Sequence, residues 1–262
     1  MAEKSPKIPV ILTIAGFDPS AGAGITADLK TFRAHGCFGI ACITALTVQN
    51  TQAVTKYQSI ELNFVTETLH SLVYDFQISA VKIGMLGSGE IVERIFEFLS
   101  QNQIGPVVLD PVLVSSSGKK LLDEPGITKM KQILLPLVSV ITPNTLEIEL
   151  LTGAKLASDE DWFIAAKELQ EMGVKNVVIT GGHRADNSDF VLLADGTKTW
   201  VAGERIGSTS THGTGCVFSS AVACNMLENN DLVQSVSKAK KFIHEAITNA
   251  PGLGHGRGPM NL

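Results

Sequence analysis

Short β-branched, apolar runs alternate along this chain with longer segments of helical period, and no other feature constrains the fold as strongly. Strands are expected at residues 10–15, 40–47, 80–83, 107–110, 139–142 and 176–180. Helices are expected at 25–35, 62–75, 91–101, 145–151, 159–172, 216–228 and 231–249. Such alternation builds a mostly parallel sheet covered by helices, so the predicted class is α/β. The stretch 189–206, with Asp195-Gly196 as its turn signal, predicts an antiparallel hairpin. At 262 residues and 44% apolar, without repeat or linker-like tract, the chain is expected to form one domain over residues 1–262.

Charge and cysteine usage narrow the function classes. A net charge of -5 provides no basic footprint, so nucleic acid is not an expected partner. The first ten residues lack a signal-like apolar core, and no later uncharged run is long enough to span a bilayer, so a soluble, cytoplasmic protein with no membrane partner is expected. Cys37, Cys42, Cys216 and Cys224 form no Cys-x-x-Cys pair and have no histidine at zinc-site spacing. They read as reduced thiols rather than a disulfide or zinc framework.

The unusual residues fall at the strand ends. Small or polar clusters follow the predicted strands at 16–24, Gln49-Asn50, Gly84-Met85, Asp110-Pro111, Pro143-Asn144 and Gly181-Gly182-His183. In open α/β sheets ligands bind beyond the carboxyl ends of the strands, so these loops define one expected site.

Within that rim, His212-Gly213-Thr214-Gly215-Cys216 leads into an apolar helical run. Two glycines allow backbone to approach an anion, and the amides and dipole of a helix start favour negative charge, so the segment suits a phosphoryl group in transfer. Cys216 at that helix start is expected to have a lowered thiol pKa. Asn144 and Glu147 share one side of a first helical turn. Their spacing fits a capping box, and equally an amide and carboxylate serving a water-coordinated Mg2+ beside phosphates. Gln49 ends a strand with an amide that can donate and accept toward a heteroaromatic edge, and Asp28 lies early in a helix. Residues 22–27 fit Gly-x-Gly-x-x-Ala, but no acid closes the second strand to hold a ribose, which disfavours an NAD-dependent oxidoreductase. No phosphate-binding loop of the Gly-x-x-x-x-Gly-Lys type occurs.

Together the motifs resemble the ribokinase-like superfamily, and within it the hydroxymethylpyrimidine and phosphomethylpyrimidine kinases. The resemblance rests on TIAGFDPSAGAG at 13–24, ADLKTF at 27–32, ITALTVQNT at 43–51, KIGML at 82–86, VLDPV at 108–112, ITPNTLE at 141–147, GGH at 181–183 and HGTGC at 212–216. It implies a three-layer α/β/α fold and two successive phosphoryl transfers from ATP with Mg2+, first to 4-amino-5-hydroxymethyl-2-methylpyrimidine and then to its monophosphate. By the same resemblance Asp28 and Gln49 bind the aminopyrimidine edge, and Ala23, Met85 and Val112 line its pocket. Asn144, Thr180, Gly181 and Gly182 face the nucleotide, Glu147 and Asn144 serve Mg2+, and Gly213, Thr214, Gly215 and Cys216 form the anion hole.

A homodimer is also implied. The chain departs from much of the superfamily in carrying cysteine at 216, where an aspartate base is common, and threonine at 180, where relatives often have lysine. Lys119, Lys120 and Arg257 are candidate substitutes for that cation. The glycine-rich tail 251–259 resembles the family's terminal segment near the nucleotide. Pyridoxal kinase, alone or as a second activity, is the alternative within the same class.

Overall fold

The computed structural model describes residues 8–182, 184, 186–229 and 231–262. His183, the third residue of the GGH motif, lies outside them, as do residues 1–7 of the amino-terminal segment. Among the described residues nine strands form one sheet: β1 (Val10–Phe17), β2 (Phe38–Gln49), β3 (Val54–Ser59), β4 (Ile78–Ile83), β5 (Val107–Leu109), β6 (Val140–Ile141), β7 (Asn176–Ile179), β8 (Asp189–Leu192) and β9 (Lys198–Val201). Their order is β3-β2-β1-β4-β5-β6-β7-β8-β9. The strands from β2 through β7 are parallel, while β3 at one edge and the β8–β9 hairpin at the other run antiparallel to their neighbours.

Strand periodicity divides the interior into two layers. Leu12, Ile14, Val81, Ile83, Val107 and Leu109 face one way, into a large cluster with Ile91, Ile95, Trp162 and Leu169. Val108, Val140, Val178 and Val191 face the other way, against Phe218, Val222 and Val236. The first layer holds helices α2 (Leu62–Asp75), α3 (Gly89–Gln101) and α6 (Asp159–Glu171), and the second holds α7 (Thr214–Asn229) and α8 (Leu232–Thr248). Helix α1 (Gly24–Ala34) packs beside α7. The predicted three-layer α/β/α class is what the chain adopts.

Helix starts follow their capping chemistry. Ser88 opens α3 by accepting from the Ile91 amide, and Ser158 and Asp161 form a reciprocal capping box at α6. The chain crosses from β1 to β2 on one side and later returns to β4 on the other, so β1 and β4 flank a topological switch point, the place where open α/β sheets bind ligands.

Two pieces were not anticipated. Strand β3 is a polar edge strand without clear alternation, joined to β2 by a turn in which Asn50 Oδ1 accepts from the Gln52 and Ala53 amides. Residues 124–137 coil continuously through a short α-helix, a π turn and a 3-10 turn, a path with no single hydrophobic period.

Candidate active site

The anion-binding expectation for the glycine loop has a geometric basis. Gly213 has φ +77°, the left-handed region that disfavours side chains. A Cβ there would sit 1.9 Å from the Gly22 carbonyl oxygen, so this loop presses directly on the β1–α1 loop and places Ala23 beside it. Helix α7 begins at the next residue, and the first amides of a helix lack intrahelical acceptors. Gly215 is less crowded: the nearest atom to its Cβ position is Asp110 Oδ2 at 3.5 Å. The obligatory glycine is therefore Gly213, with Gly215 lying over the carboxylate at the end of β5.

Beneath this loop lies a buried set of charges. Lys82 alternates with the core-facing Val81 and Ile83, so it points from β4 toward α1 and α7, where it is fully buried. Its Nζ donates to both oxygens of Asp28, at 2.9 and 3.0 Å. Thr13 Oγ1 donates to Asp28 Oδ2 at 2.6 Å and Ser220 Oγ to Oδ1 at 2.8 Å. Asp28 is itself 0% exposed. Both of its oxygens are therefore engaged within the fold, an internal ion-pair role that the resemblance-based expectation of a pyrimidine-edge contact did not include.

Asp110 and Glu147 form an acidic pair above that ion pair. Burial raises the Asp110 pKa to about 6, against the opposing pull of Lys82. Burial raises Glu147 well above the carboxylate range, and the charge of Asp110 adds to the effect. Glu147 also completes the capping box of α5 (Thr145–Thr152): its Oε2 accepts from the Asn144 amide at 2.9 Å while Asn144 Oδ1 accepts from the Glu147 amide at 3.0 Å. The capping role is thus present, and it aims the carboxylate inward.

The Cys216 thiol hydrogen-bonds toward Asp110, and its pKa departs from expectation. Burial pushes it up to about 12, and the carboxylates of Asp110 and Asp28 add to that against Lys82. Desolvation outweighs the helix start, so the thiol is protonated at neutral pH and the expected lowering is corrected.

On the neighbouring side, Met85 and Val112 belong to one apolar cluster with Ala45, Val54 and Tyr57, next to the end of β2. Gln49 ends β2, half-buried, within hydrogen-bonding reach of His212 Nε2 at 3.1 Å and Thr47 Oγ1 at 3.2 Å. His212 Nε2 is also 2.8 Å from Asp18 Oδ2, and both residues are buried. Lys82, Asp110, Asp18 and His212 all stood within the sequence motifs without assigned roles. A lysine amid buried apolar strand residues was the readable signal, since such a charge needs a buried partner.

The residues that the resemblance assigns to the nucleotide follow β6 and β7. Thr180 bridges to Asn144, and its amide donates to the Pro143 carbonyl at 2.9 Å. The Gly181 amide donates to Asp189 Oδ1 at 2.8 Å, and Asp189 in turn pairs with Lys240 at 2.8 Å. A Cβ on Gly181 would lie 1.7 Å from the Ser188 carbonyl oxygen, whereas Gly182 has open space. Lys119 and Lys120 are exposed, and Lys120 pairs with Glu124. The tail is not frayed: the Arg257 amide donates to the Thr51 carbonyl, Gly258 bonds with Thr209 and His212, and Met260 is buried.

The acidic pair makes stability depend on pH. A carboxyl with a raised folded-state pKa contributes stability that is complete below its unfolded pKa, near 4, and is lost as pH rises through the folded value. For Asp110 that window closes at about 6, and Glu147 acts in the same sense. In chelator at pH 8, Asp110→Asn is expected to raise the melting temperature by several degrees, from a gain of roughly 2 to 3 kcal/mol. At pH 4.5 the gain should shrink to about a third of that. Equal shifts at both pH values in thermal melts would show that carboxylate charge is not the source.

Comparisons of sequence and fold with known proteins agree on one family. The family model for phosphomethylpyrimidine kinase matches residues 18–261. A hydroxymethylpyrimidine/phosphomethylpyrimidine kinase of Haemophilus influenzae is 44% identical over 256 residues, covering 96% of this chain and 95% of that protein. The crystal structure of a phosphomethylpyrimidine kinase from Clostridium difficile superposes with TM-score 0.80 at 33% identity, covering 92% of this chain and 100% of that one. The pyridoxal kinase of Staphylococcus aureus in complex with AMP-PCP superposes with TM-score 0.89 at 30% identity, covering 98% and 94%. With near-complete coverage in sequence and in fold, and with the glycine loop, the acidic pair and Gln49 gathered on one rim, the chain belongs to the phosphomethylpyrimidine kinase family.

Proposed function

We infer that this chain is a kinase of thiamine synthesis that transfers a phosphoryl group from ATP to 4-amino-5-hydroxymethyl-2-methylpyrimidine, and then a second to the monophosphate. One observation carries the reading beyond family membership. The glycine loop that opens α7 and the amide of Gln49 at the end of β2 are separated by a single imidazole, that of His212, so an anion cradle and a ring-reading amide share one rim. Phosphoryl transfer depends chiefly on positioning and charge stabilisation, which such a rim supplies.

In this reading the amides of Gly213, Thr214, Gly215 and Cys216 stabilise the phosphoryl group. Asn144, Thr180, Gly181 and Gly182 face the nucleotide, while Ala23, Met85 and Val112 enclose the ring read by Gln49. Asp110 and Glu147 supply hard oxygen donors whose mutual burial a divalent cation relieves. Among the described residues no group of three or more acidic, His or Cys side chains gathers to hold a metal, so Mg2+ would take its remaining ligands from phosphate oxygens and water. When bound, the ion neutralises phosphate charge. A protonated Cys216 thiol serves as a neighbour to the accepting hydroxyl rather than as an ionised base. Among the described residues no helix is long and apolar enough to cross a membrane. By family resemblance we take the enzyme to be a cytoplasmic homodimer.

Pyridoxal is the competing acceptor, because pyridoxal kinases share the fold closely. Gln49→Leu tests the choice. Removing an amide that pairs with the amino group and ring nitrogen leaves substrate groups unpaired, at about 1 to 3 kcal/mol. Catalytic efficiency for the aminopyrimidine should therefore fall roughly 5- to 150-fold, with a smaller change for pyridoxal. An equal fall for both acceptors would show that Gln49 does not select the ring.

A further inference from the structure

Hydrogen bookkeeping around Gln49 favours one orientation of its amide. His212 Nε2 lies 2.8 Å from Asp18 Oδ2, and a carboxylate accepts, so Nε2 carries the hydrogen. The same nitrogen cannot then accept from an amide. At the opposite end of the Gln49 amide, Thr47 Oγ1 is 3.2 Å away, and its one hydrogen is directed to the Phe17 carbonyl at 2.9 Å. Thr47 therefore has only lone pairs to offer. With the amide nitrogen at the His212 end, donor faces donor and acceptor faces acceptor. With the two ends exchanged, the Gln49 nitrogen donates to Thr47 Oγ1 and the Gln49 oxygen shares the single Nε2 hydrogen with Asp18 Oδ2 in a three-centre bond, so neither contact is repulsive, and the ends of an amide are assigned by this test.

The imidazole is rigidly placed to impose that orientation. A Cβ on Gly22 would come 2.3 Å from His212 Cδ2, so the ring lies hard against the β1–α1 loop. The His212 amide donates to the Gly258 carbonyl at 3.1 Å, tying the same residue to the carboxyl-terminal tail. Asp18 is fixed in turn. Its Oδ1 accepts from the Ser20 amide at 2.8 Å and hydroxyl at 2.7 Å, and its Oδ2 from the Ala23 and Gly22 amides at 2.9 and 3.2 Å.

We propose that His212 is a positioning residue that sets the polarity of the Gln49 amide and thereby the donor–acceptor edge that the site reads. Held with its oxygen toward His212 and its nitrogen toward Thr47, the amide retains one N–H and one oxygen lone pair for a ligand. An aminopyrimidine presents the complement, a ring nitrogen beside an amino group. A reversed amide would demand a reversed ring, which carries the hydroxymethyl group away from the glycine loop. The proposal rests on the pyrimidine reading of the site, and its test separates the two.

The tautomer is measured first, without substrate, from a long-range proton–nitrogen spectrum of the imidazoles, with His212 assigned by the signal absent in His212→Gln. A hydrogen on Nε2 is expected; a hydrogen on Nδ1 alone would overturn the proposal. Calorimetry then compares aminopyrimidine and ADP binding in the native protein, His212→Leu and His212→Gln. His212→Leu should weaken pyrimidine binding by about tenfold or more while ADP binding holds. His212→Gln, whose amide nitrogen reaches the Nε2 position and can donate to Asp18, should recover most of the loss. Native affinity in His212→Leu, or no recovery in a folded His212→Gln that still binds ADP, would overturn the proposal. Failure of the native protein to bind the aminopyrimidine at all would instead count against the substrate reading, leaving the tautomer result to judge His212.

Discussion

Gly213→Ala is expected to lower turnover by about 10²- to 10³-fold, the typical cost of losing one oxyanion donor, in a protein that still binds the pyrimidine. Two independent penalties act at this residue. Its φ of +77° is disfavoured for any side chain by roughly 1 to 2 kcal/mol. A methyl group would also lie 1.9 Å from the Gly22 carbonyl oxygen, so the loop must move to relieve the clash. That movement carries the first amides of α7 away from the phosphoryl group. Gly215→Ala is the control, since its Cβ would meet nothing closer than 3.5 Å and should retain most of the turnover. Single-turnover phosphorylation, with folding checked by melting, decides the matter. If Gly213→Ala transfers at the native rate, the loop amides are not the charge-stabilising device.

The largest effect on stability is expected from Lys82→Met. Lys82 and Asp28 are both 0% exposed, and removing one partner leaves an uncompensated buried charge, at a cost of about 3 to 5 kcal/mol. Asp28→Asn added to Lys82→Met removes that stranded charge, so the double variant should be more stable than Lys82→Met alone. Denaturant unfolding of the three variants measures the coupling. Additive losses would show that the pair is not an energetic unit. Because both oxygens of Asp28 are engaged within the fold, folded Asp28→Asn should bind the aminopyrimidine as the native protein does.

The α/β class and most elements were legible because apolar strands and amphipathic helices differ in period, and neither depends on partners far away in the chain. The strand-end loops that carry the candidate site were legible for the same topological reason. What a local reading could not supply was depth. The helix start at Cys216 suggested an acidic thiol, but burial beside Asp110 and Asp28 decides its pKa in the opposite direction. The position of Asp28 early in α1 gave no sign of a buried partner, whereas Lys82, 54 residues later, meets it in the interior. The Asp18–His212 contact joins residues 194 positions apart, and no periodicity encodes such a pairing. Strand β3 escaped because a polar edge strand buries little and so carries little pattern.

The central claim is that this rim transfers phosphoryl groups from ATP to a pyrimidine hydroxymethyl group, twice. Phosphorus NMR of the purified protein with ATP, Mg2+ and 4-amino-5-hydroxymethyl-2-methylpyrimidine follows both transfers in one sample. The expected record is a phosphate monoester that rises as ATP becomes ADP, followed by its conversion to a pyrimidine diphosphate as a second equivalent of ATP is consumed. Pyridoxal phosphorylated efficiently under the same conditions, with the aminopyrimidine left untouched, would contradict the account.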